Sequence, residues 1–299
     1  MSSSPLVMMV DPMHYEVSYA INPWMTPGQW ARDPDGCRQR AVDASLQLRD
    51  ALVRAGCRIE WAPGSAGWPD MVFPANAAVV LDGRVMMARF RHPQRQGEEA
   101  PFLAIFESLR ERGLIRQIER MPEGVFQEGA GDCIWDAARG WFWAGFGPRS
   151  SAASLDVLRD YFGRPVVPLG LASERCYHLD VCFLPLSGGE ILYLPDALTP
   201  QARDELHRRV PASLLMPATE EDLRHFNINA VNVGRTIVMS RTTASLRERL
   251  EARGYALIEV DLSPFMMSGG GAYCMTLRLD RTSRQDPAAA SPDQARAAA

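Results

Sequence analysis

The chain has 299 residues, 46% hydrophobic and 23% charged, with a formal net charge of -4. That size holds one large domain or two modest ones with ample core, and the composition is that of an ordinary globular protein. The balance leaves no basic footprint for nucleic acid or an anionic membrane, and no apolar run approaches the roughly 18 residues that span a bilayer.

The first residues, Met1 to Pro5, carry no basic stretch leading into an apolar run, so no signal peptide is expected. The six cysteines (37, 57, 133, 176, 182 and 274) are scattered without a CxxC pair. They read as reduced thiols of a cytoplasmic protein. Cys176, His178 and Cys182 match no common zinc spacing, so neither metal nor cofactor is expected.

Along the chain, Leu6-Val-Met-Met-Val10 reads as a strand and residues 39–55 as a helix. Residues 76–89 then form two apolar runs around Asp82-Gly83, a strong hairpin signal, followed by a helix over 100–112 that stops at Gly113. A second such unit runs from Gly131-Asp132 to Trp141-Phe-Trp-Ala, turning at Arg139-Gly140, with a helix from near Ser151 to before Gly163. A third starts at His178-Leu-Asp180, turns at Gly188-Gly189 and has a helix over 200–209; a fourth starts at Asn229, turns at Gly234 and has a helix over 246–253. Their starts recur about every 50 residues and lead on to Cys274, where the last strand and the first strand of the chain complete a split fifth unit. The pattern predicts an α/β chain with a fivefold internal repeat that closes on itself. Residues 1–281 are expected to be one catalytic domain, and the Ala/Pro/Gln/Asp-rich residues 282–299 a disordered tail.

Equivalent positions of such repeats face one axis, and here they hold Asn76, Asp132 with Glu128, His178 with Asp180, Asn229 and Cys274. Cys274 follows Gly269-Gly-Gly271, a turn read as presenting the thiol rather than packing it. A thiol with an imidazole makes a nucleophilic pair. His178 and Asp180, two apart on an expected strand, project to one side. Carboxylates around a thiol suit a cationic electrophile better than an acyl group, whose oxyanion needs donors. A guanidinium matches them, because it is permanently charged and offers a fork of donors.

The segments Tyr19-Ala-Ile-Asn22-Pro-Trp-Met, Pro69-Asp70-Met-Val-Phe-Pro-Ala-Asn76, Ala88-Arg-Phe-Arg-His-Pro-Gln-Arg95-Gln-Gly-Glu98, Glu128-Gly-Ala-Gly-Asp132, Tyr177-His178-Leu-Asp180 and Gly269-Gly-Gly-Ala-Tyr-Cys274 resemble the guanidino-group-modifying superfamily. They cover almost the whole chain, and the last three together are the specific part. The resemblance implies a five-bladed α/β propeller (the pentein fold) and catalysis without a cofactor. It implies Cys274 as nucleophile and His178 as the group that protonates the leaving nitrogen and then activates water. Asp180 and Glu128 hold the guanidinium in this reading, and Asp132 supports its turn or touches substrate. Asp70 receives the substrate α-amino group, Arg95 its carboxylate, and Asn22 lines the pocket.

Two departures stand out. Dimethylargininases and deiminases of the family generally carry an acidic residue where this chain has Asn76, and the Ile-Asn-Pro-Trp-Met and Phe-Pro-Ala-Asn segments look most like the arginine dihydrolase branch. The glutamate motif also has one residue more than Glu-Gly-Gly-Asp, which leaves open whether Glu128 or Asp132 holds the guanidinium. The implied activity is hydrolysis of arginine or a derivative through a covalent amidino-thioester. The alternatives are a dimethylarginine dimethylaminohydrolase, an amidinotransferase, a non-catalytic arginine-binding propeller and a repeat scaffold for protein partners. Oligomeric state stays open, a homo-oligomer included.

Overall fold

The structure, a computed structural model, describes residues 4–283; the expected tail lies outside the described residues from position 284 onward. The chain starts with β1 (Leu6–Val10), five buried apolar residues in a row. The helix Pro34–Arg54 follows, and β2 (Arg58–Ala62) returns parallel to β1. The helix begins where it does because Asp33 accepts from the Gly36 N–H at 3.0 Å and Pro34 takes the first turn without losing a bond. Its buried stripe (Cys37, Ala41, Ala44, Leu48, Ala51, Leu52) recurs every three or four residues and packs on the sheet. Each leucine so buried contributes about 1.5–3 kcal/mol.

The same plan repeats four times. β3 (Ala78–Leu81), β4 (Arg84–Met87) and β5 (Gln117–Arg120) form one sheet, and β6 (Cys133–Asp136), β7 (Trp141–Phe146) and β8 (Val166–Gly170) the next. β9 (Phe183–Pro185), β10 (Ile191–Tyr193) and β11 (Leu215–Pro217) form the third, and β12 (Val231–Val233), β13 (Thr236–Met239) and β14 (Ala256–Glu259) the fourth. In each, an antiparallel hairpin is followed by a helix and a third strand parallel to the second. Asp82 and Gly83 take φ of 53° and 69°, the left-handed pair that a two-residue hairpin loop requires. β15 (Leu277–Arg278) pairs antiparallel with β1, Met8 opposite Leu277, so the two ends of the described chain share the fifth sheet.

The α/β class, the closure and the four later helices (Glu99–Glu111, Ser154–Phe162, Pro200–Arg209, Ala244–Glu251) match the reading of the sequence. The third strand of each unit was not read. β5, Gln-Ile-Glu-Arg, shows why: it is short, mostly exposed and lacks apolar alternation. A second correction concerns His178 and Asp180. Leu179–Val181 is a single 3-10 turn, its end tied by Cys182 N–H to Leu179 O at 3.0 Å, and the strand starts only at Phe183. A comparable turn, Pro74–Ala77 or Gly129–Gly131, precedes β3 and β6.

Candidate active site

These turns, not the strands, carry the polar residues, and hydrogen bonds link them in sequence. The Ala75 N–H donates to Cys274 O at 3.2 Å, and Asn229 Nδ2 donates to Cys274 Sγ at 3.1 Å and to Asp180 O at 3.2 Å. The Leu179 N–H then donates to Asp132 Oδ1 at 2.9 Å. One turn from each of the five sheets is thereby brought to a common point.

Cys274 is buried, with 2% of its surface exposed, which corrects the expectation of a presented thiol. The glycines before it serve close packing instead. A Cβ on Gly270 would lie 2.2 Å from the Phe73 ring. Asn229 Oδ1 accepts from the Gly271 and Cys274 N–H groups, each at 3.1 Å, and so fixes the turn from inside. The thiol itself donates to Asp180 Oδ2 at 3.2 Å. Burial, then the Asp180 carboxylate beside it, push the Cys274 thiol well above its ordinary pKa. Burial also raises Asp180, to about 7, and its other oxygen, Oδ1, is buried without a hydrogen-bond partner.

His178, also buried, sets Nε2 at 2.7 Å from Glu128 Oε2 and Nδ1 at 3.5 Å from Asn76 Nδ2. With Nε2–H donated to the carboxylate, Nδ1 is the free base. Glu128 is occupied on both oxygens, Oε1 by the Arg91 N–H at 3.1 Å and Oε2 by His178 and by Arg149 Nη1 at 3.0 Å. Burial alone would raise its pKa, but Arg149, His178 and Arg95 overcome it and hold the carboxyl well below the usual range. Glu128 therefore stands behind His178, with both oxygens bonded within the protein. Asp132 is satisfied by Ser150 Oγ at 2.6 Å and the Leu179 N–H, with burial raising it to about 6, so it supports the turns. Gly131 makes room for this arrangement, since a Cβ there would meet Asn76 Nδ2 at 2.3 Å.

Asp70 accepts from Tyr19 OH at 2.8 Å through Oδ2, while its Oδ1 is buried and unpartnered. Arg95 is more engaged than expected. It makes a bidentate pair with Glu98, both bonds 2.9 Å, and donates to Asn76 Oδ1 at 2.8 Å and Asp70 O at 3.2 Å. Of a guanidinium's five donors, one on Nη1 remains. The sequence reading missed Arg149, whose other arm donates to Ile21 O at 2.9 Å and which lies over the Tyr177 ring at 4.7 Å. Its signal was slight, a lone arginine after Gly147-Pro148 at the end of a strand. Asn229 was placed on the axis but given no task. Asn22, Asp70, Asn76, Arg95, Arg149 and Cys274 line one cavity of about 10 Å³, the room of a single water.

A thiol bonded to one carboxylate, an imidazole bonded to another and a pocket with an unpaired acceptor oxygen make up the kind of site expected of the guanidino-modifying class. The model of the family "N,N dimethylarginine dimethylhydrolase, eukaryotic" matches residues 20–281, and the chain belongs to that family. It is 38% identical over 273 residues to the bifunctional arginine dihydrolase/ornithine cyclodeaminase ArgZ of Synechocystis, covering 91% of this chain and 37% of that protein. It is 35% identical to the equivalent bifunctional AgrE of Nostoc, covering 96% and 39%. The chain thus spans under two fifths of these two relatives. A dimethylarginine dimethylaminohydrolase of Mycobacterium tuberculosis is 28% identical, with 91% and 84% covered. Among solved structures, the N-terminal domain of an ArgZ mutant bound to its substrate superposes with a TM-score of 0.86 at 36% identity, covering 94% of this chain and all of that one.

Proposed function

We propose that this protein hydrolyses the guanidino group of arginine through an amidino-thioester on Cys274 and acts as an arginine dihydrolase. The observation that carries the reading is the pair of unpartnered carboxylate oxygens, Asp180 Oδ1 beside the nucleophile and Asp70 Oδ1 in the adjoining pocket. A buried acceptor without a donor is costly, and arginine brings a donor cation at each end, its guanidinium and its α-amino group. Arg149 and the remaining donor of Arg95 receive the carboxylate between them, with Asn22 on the rim of the same pocket. The similarity to ArgZ and AgrE, named as arginine dihydrolases, supports the assignment. Five similar sheets with the split fifth support the five-bladed propeller as the architecture, with residues 1–281 as its single domain.

A guanidinium entering beside Asp180 replaces the thiol as that carboxylate's partner and lowers the cost of ionising Cys274. The thiol's proton passes to His178 Nδ1, the thiolate attacks the guanidinium carbon, and ammonia leaves with that proton. Water, deprotonated by the same nitrogen, attacks the amidino-thioester and regenerates the thiol, giving citrulline. A second attack, on the ureido carbon, releases the second ammonia and leaves a thiocarbamate on Cys274; water cleaves its C–S bond, regenerating the thiol, and the freed carbamate breaks down to ornithine and carbon dioxide. Dimethylarginine is the competing substrate that the family match favours. Product stoichiometry tests the assignment. Two ammonia per ornithine support it, one ammonia per citrulline reduces it to a deiminase, dimethylamine moves it to dimethylargininase, and no product from either substrate overturns it.

A further inference from the structure

A second cavity lies apart from the catalytic one. Its volume is about 310 Å³, and residues of the first strands of all five sheets (β3, β6, β9, β12 and β15) line it. The catalytic residues precede these strands, whereas this cavity extends along them to the hairpin turns at Ala138 and Gly234 and to Arg281 beyond β15. It therefore occupies the opposite end of the five strands. Tyr273, next to Cys274 in the chain, belongs to its wall.

Much of the wall is aliphatic, including Val79, Ile134, Leu184, Val231 and Leu277. Its carboxylate, Asp136, is already used, accepting from Arg139 Nη1 at 2.7 Å and Trp143 Nε1 at 2.9 Å. Arg278 is likewise paired with Asp280. Arg281 is different. Its side chain bonds the Tyr273 hydroxyl, and among the described residues no carboxylate makes an ion pair with it. Burial and the neighbouring Arg278 act against its charge and outweigh Tyr273 and Asp280, which favour it. A second donor lacks an acceptor here: the indole N–H of Trp135, a wall residue only 4% exposed, is buried and unpartnered.

We propose that this cavity is a binding site for a small aliphatic carboxylate, separate from the catalytic pocket. Arg281 and the Tyr273 hydroxyl receive the carboxylate, and the aliphatic strand residues take the hydrocarbon body. A volume near 300 Å³ is the lower end of ligand-pocket sizes, which suits a chain of a few carbons. This site is independent of the reaction proposed for Cys274, and binding rather than turnover reports on it.

Full-length protein is titrated calorimetrically with acetate, butanoate, hexanoate and inorganic phosphate. Affinity is expected to rise about threefold to fourfold per added methylene, so hexanoate binds at least about tenfold tighter than acetate. Arg281→Met weakens hexanoate at least about tenfold, while Arg149→Met, in the catalytic pocket, changes it by less than about twofold. Should Arg281→Met not fold, Arg281→Lys keeps a charge without the fork and is expected to bind at an intermediate level. A crystal soaked in 6-bromohexanoate places the bromine among the five strands. No binding by any of the four, equal binding of phosphate and hexanoate, loss with Arg149→Met alone, or a cavity holding only water in the soaked crystal overturns the proposal.

Discussion

Cys274 Sγ donates its proton to Asp180 Oδ2 across 3.2 Å, so the proposed nucleophile and this carboxylate hold one another in check. Ionising the thiol beside an ionised Asp180 sets two anions together in a buried site, which is why the thiol is raised. Asp180→Asn separates two consequences that a generic loss of structure would not. At fixed pH near 8 the thiol is expected to alkylate with iodoacetamide several-fold faster than in the native protein. Arginine turnover is expected to fall about 10²-fold or more, because the cation loses its counter-charge. Slower alkylation in the variant would contradict the assignment.

The same carboxyl sets a pH signature. Asp180 is raised from its usual 3.8 to about 7, so in the folded protein it holds its proton where the unfolded chain has lost it. The stability this lends is full below about pH 4 and is lost as pH rises through about 7. Asp180→Asn removes that loss. The variant is expected to melt above the native protein at pH 8, and the gap is expected to narrow at pH 5. In turnover the sign reverses, because only the carboxylate attracts a guanidinium. For the free enzyme, kcat/KM is expected to fall below about pH 7. Melting curves and a pH–rate profile check both limbs, and a gap that widens toward pH 5 would sink the argument.

Glu128 titrates elsewhere. Arg149 and His178 hold it well below the ordinary carboxylate range despite its burial, so it stays ionised across the working pH range. Glu128→Gln leaves His178 Nε2 with a neutral partner and weakens its orientation. The expected cost is about 10²–10⁴ in kcat with KM little changed, since both Glu128 oxygens are already committed within the protein. A rise in KM at unchanged kcat would instead return Glu128 to substrate binding.

How far the sequence led can be judged at particular residues. Cys274, His178 and Asp180 stand out because a nucleophile, an imidazole and a carboxylate recur at one repeat spacing, and spacing is visible in one dimension. The direction of each side chain is not. Glu128 and Asp132 look alike in Glu-Gly-Ala-Gly-Asp, yet the 3-10 turn of Gly129–Gly131 sends one to His178 and the other to Ser150 and Leu179. Arg149 gave no pattern because it meets Glu128 only across 21 residues of chain. The third strands escaped because an edge strand such as β5 needs no apolar alternation when one face meets water. The glycines at 269–271 misled because tight packing and exposure call for the same residue.

Asn229 holds the nucleophile's turn with its oxygen and the sulfur with its nitrogen, two tasks that a substitution can divide. Asn229→Asp keeps the acceptor for the Gly271 and Cys274 N–H groups but puts a carboxylate oxygen where the sulfur had a donor. The fold is expected to persist, and the thiol to require a higher pH for alkylation than in the native protein. Asn229→Ala removes both and is expected to cost stability on the order of 2–4 kcal/mol, from two buried N–H groups left unpaired. A midpoint of alkylation unchanged in Asn229→Asp would show that the amide does nothing for the sulfur.

Asn76 bears on how many times Cys274 attacks. Its oxygen is fixed by Arg95 at 2.8 Å, which leaves the NH₂ group toward His178 and the pocket. An amide donor can face the carbonyl oxygen of a ureido group, whereas a carboxylate there repels it. Asn76→Asp is expected to fold, because its other oxygen still meets Arg95. The first ammonia is expected to be released from arginine and citrulline to accumulate, with the ornithine yield down at least about tenfold. Following citrulline, ornithine and ammonia together over time measures this directly. If the variant keeps the native ratio of two ammonia to one ornithine, residue 76 does not control the second attack, and the dihydrolase reading must rest on other residues of the pocket.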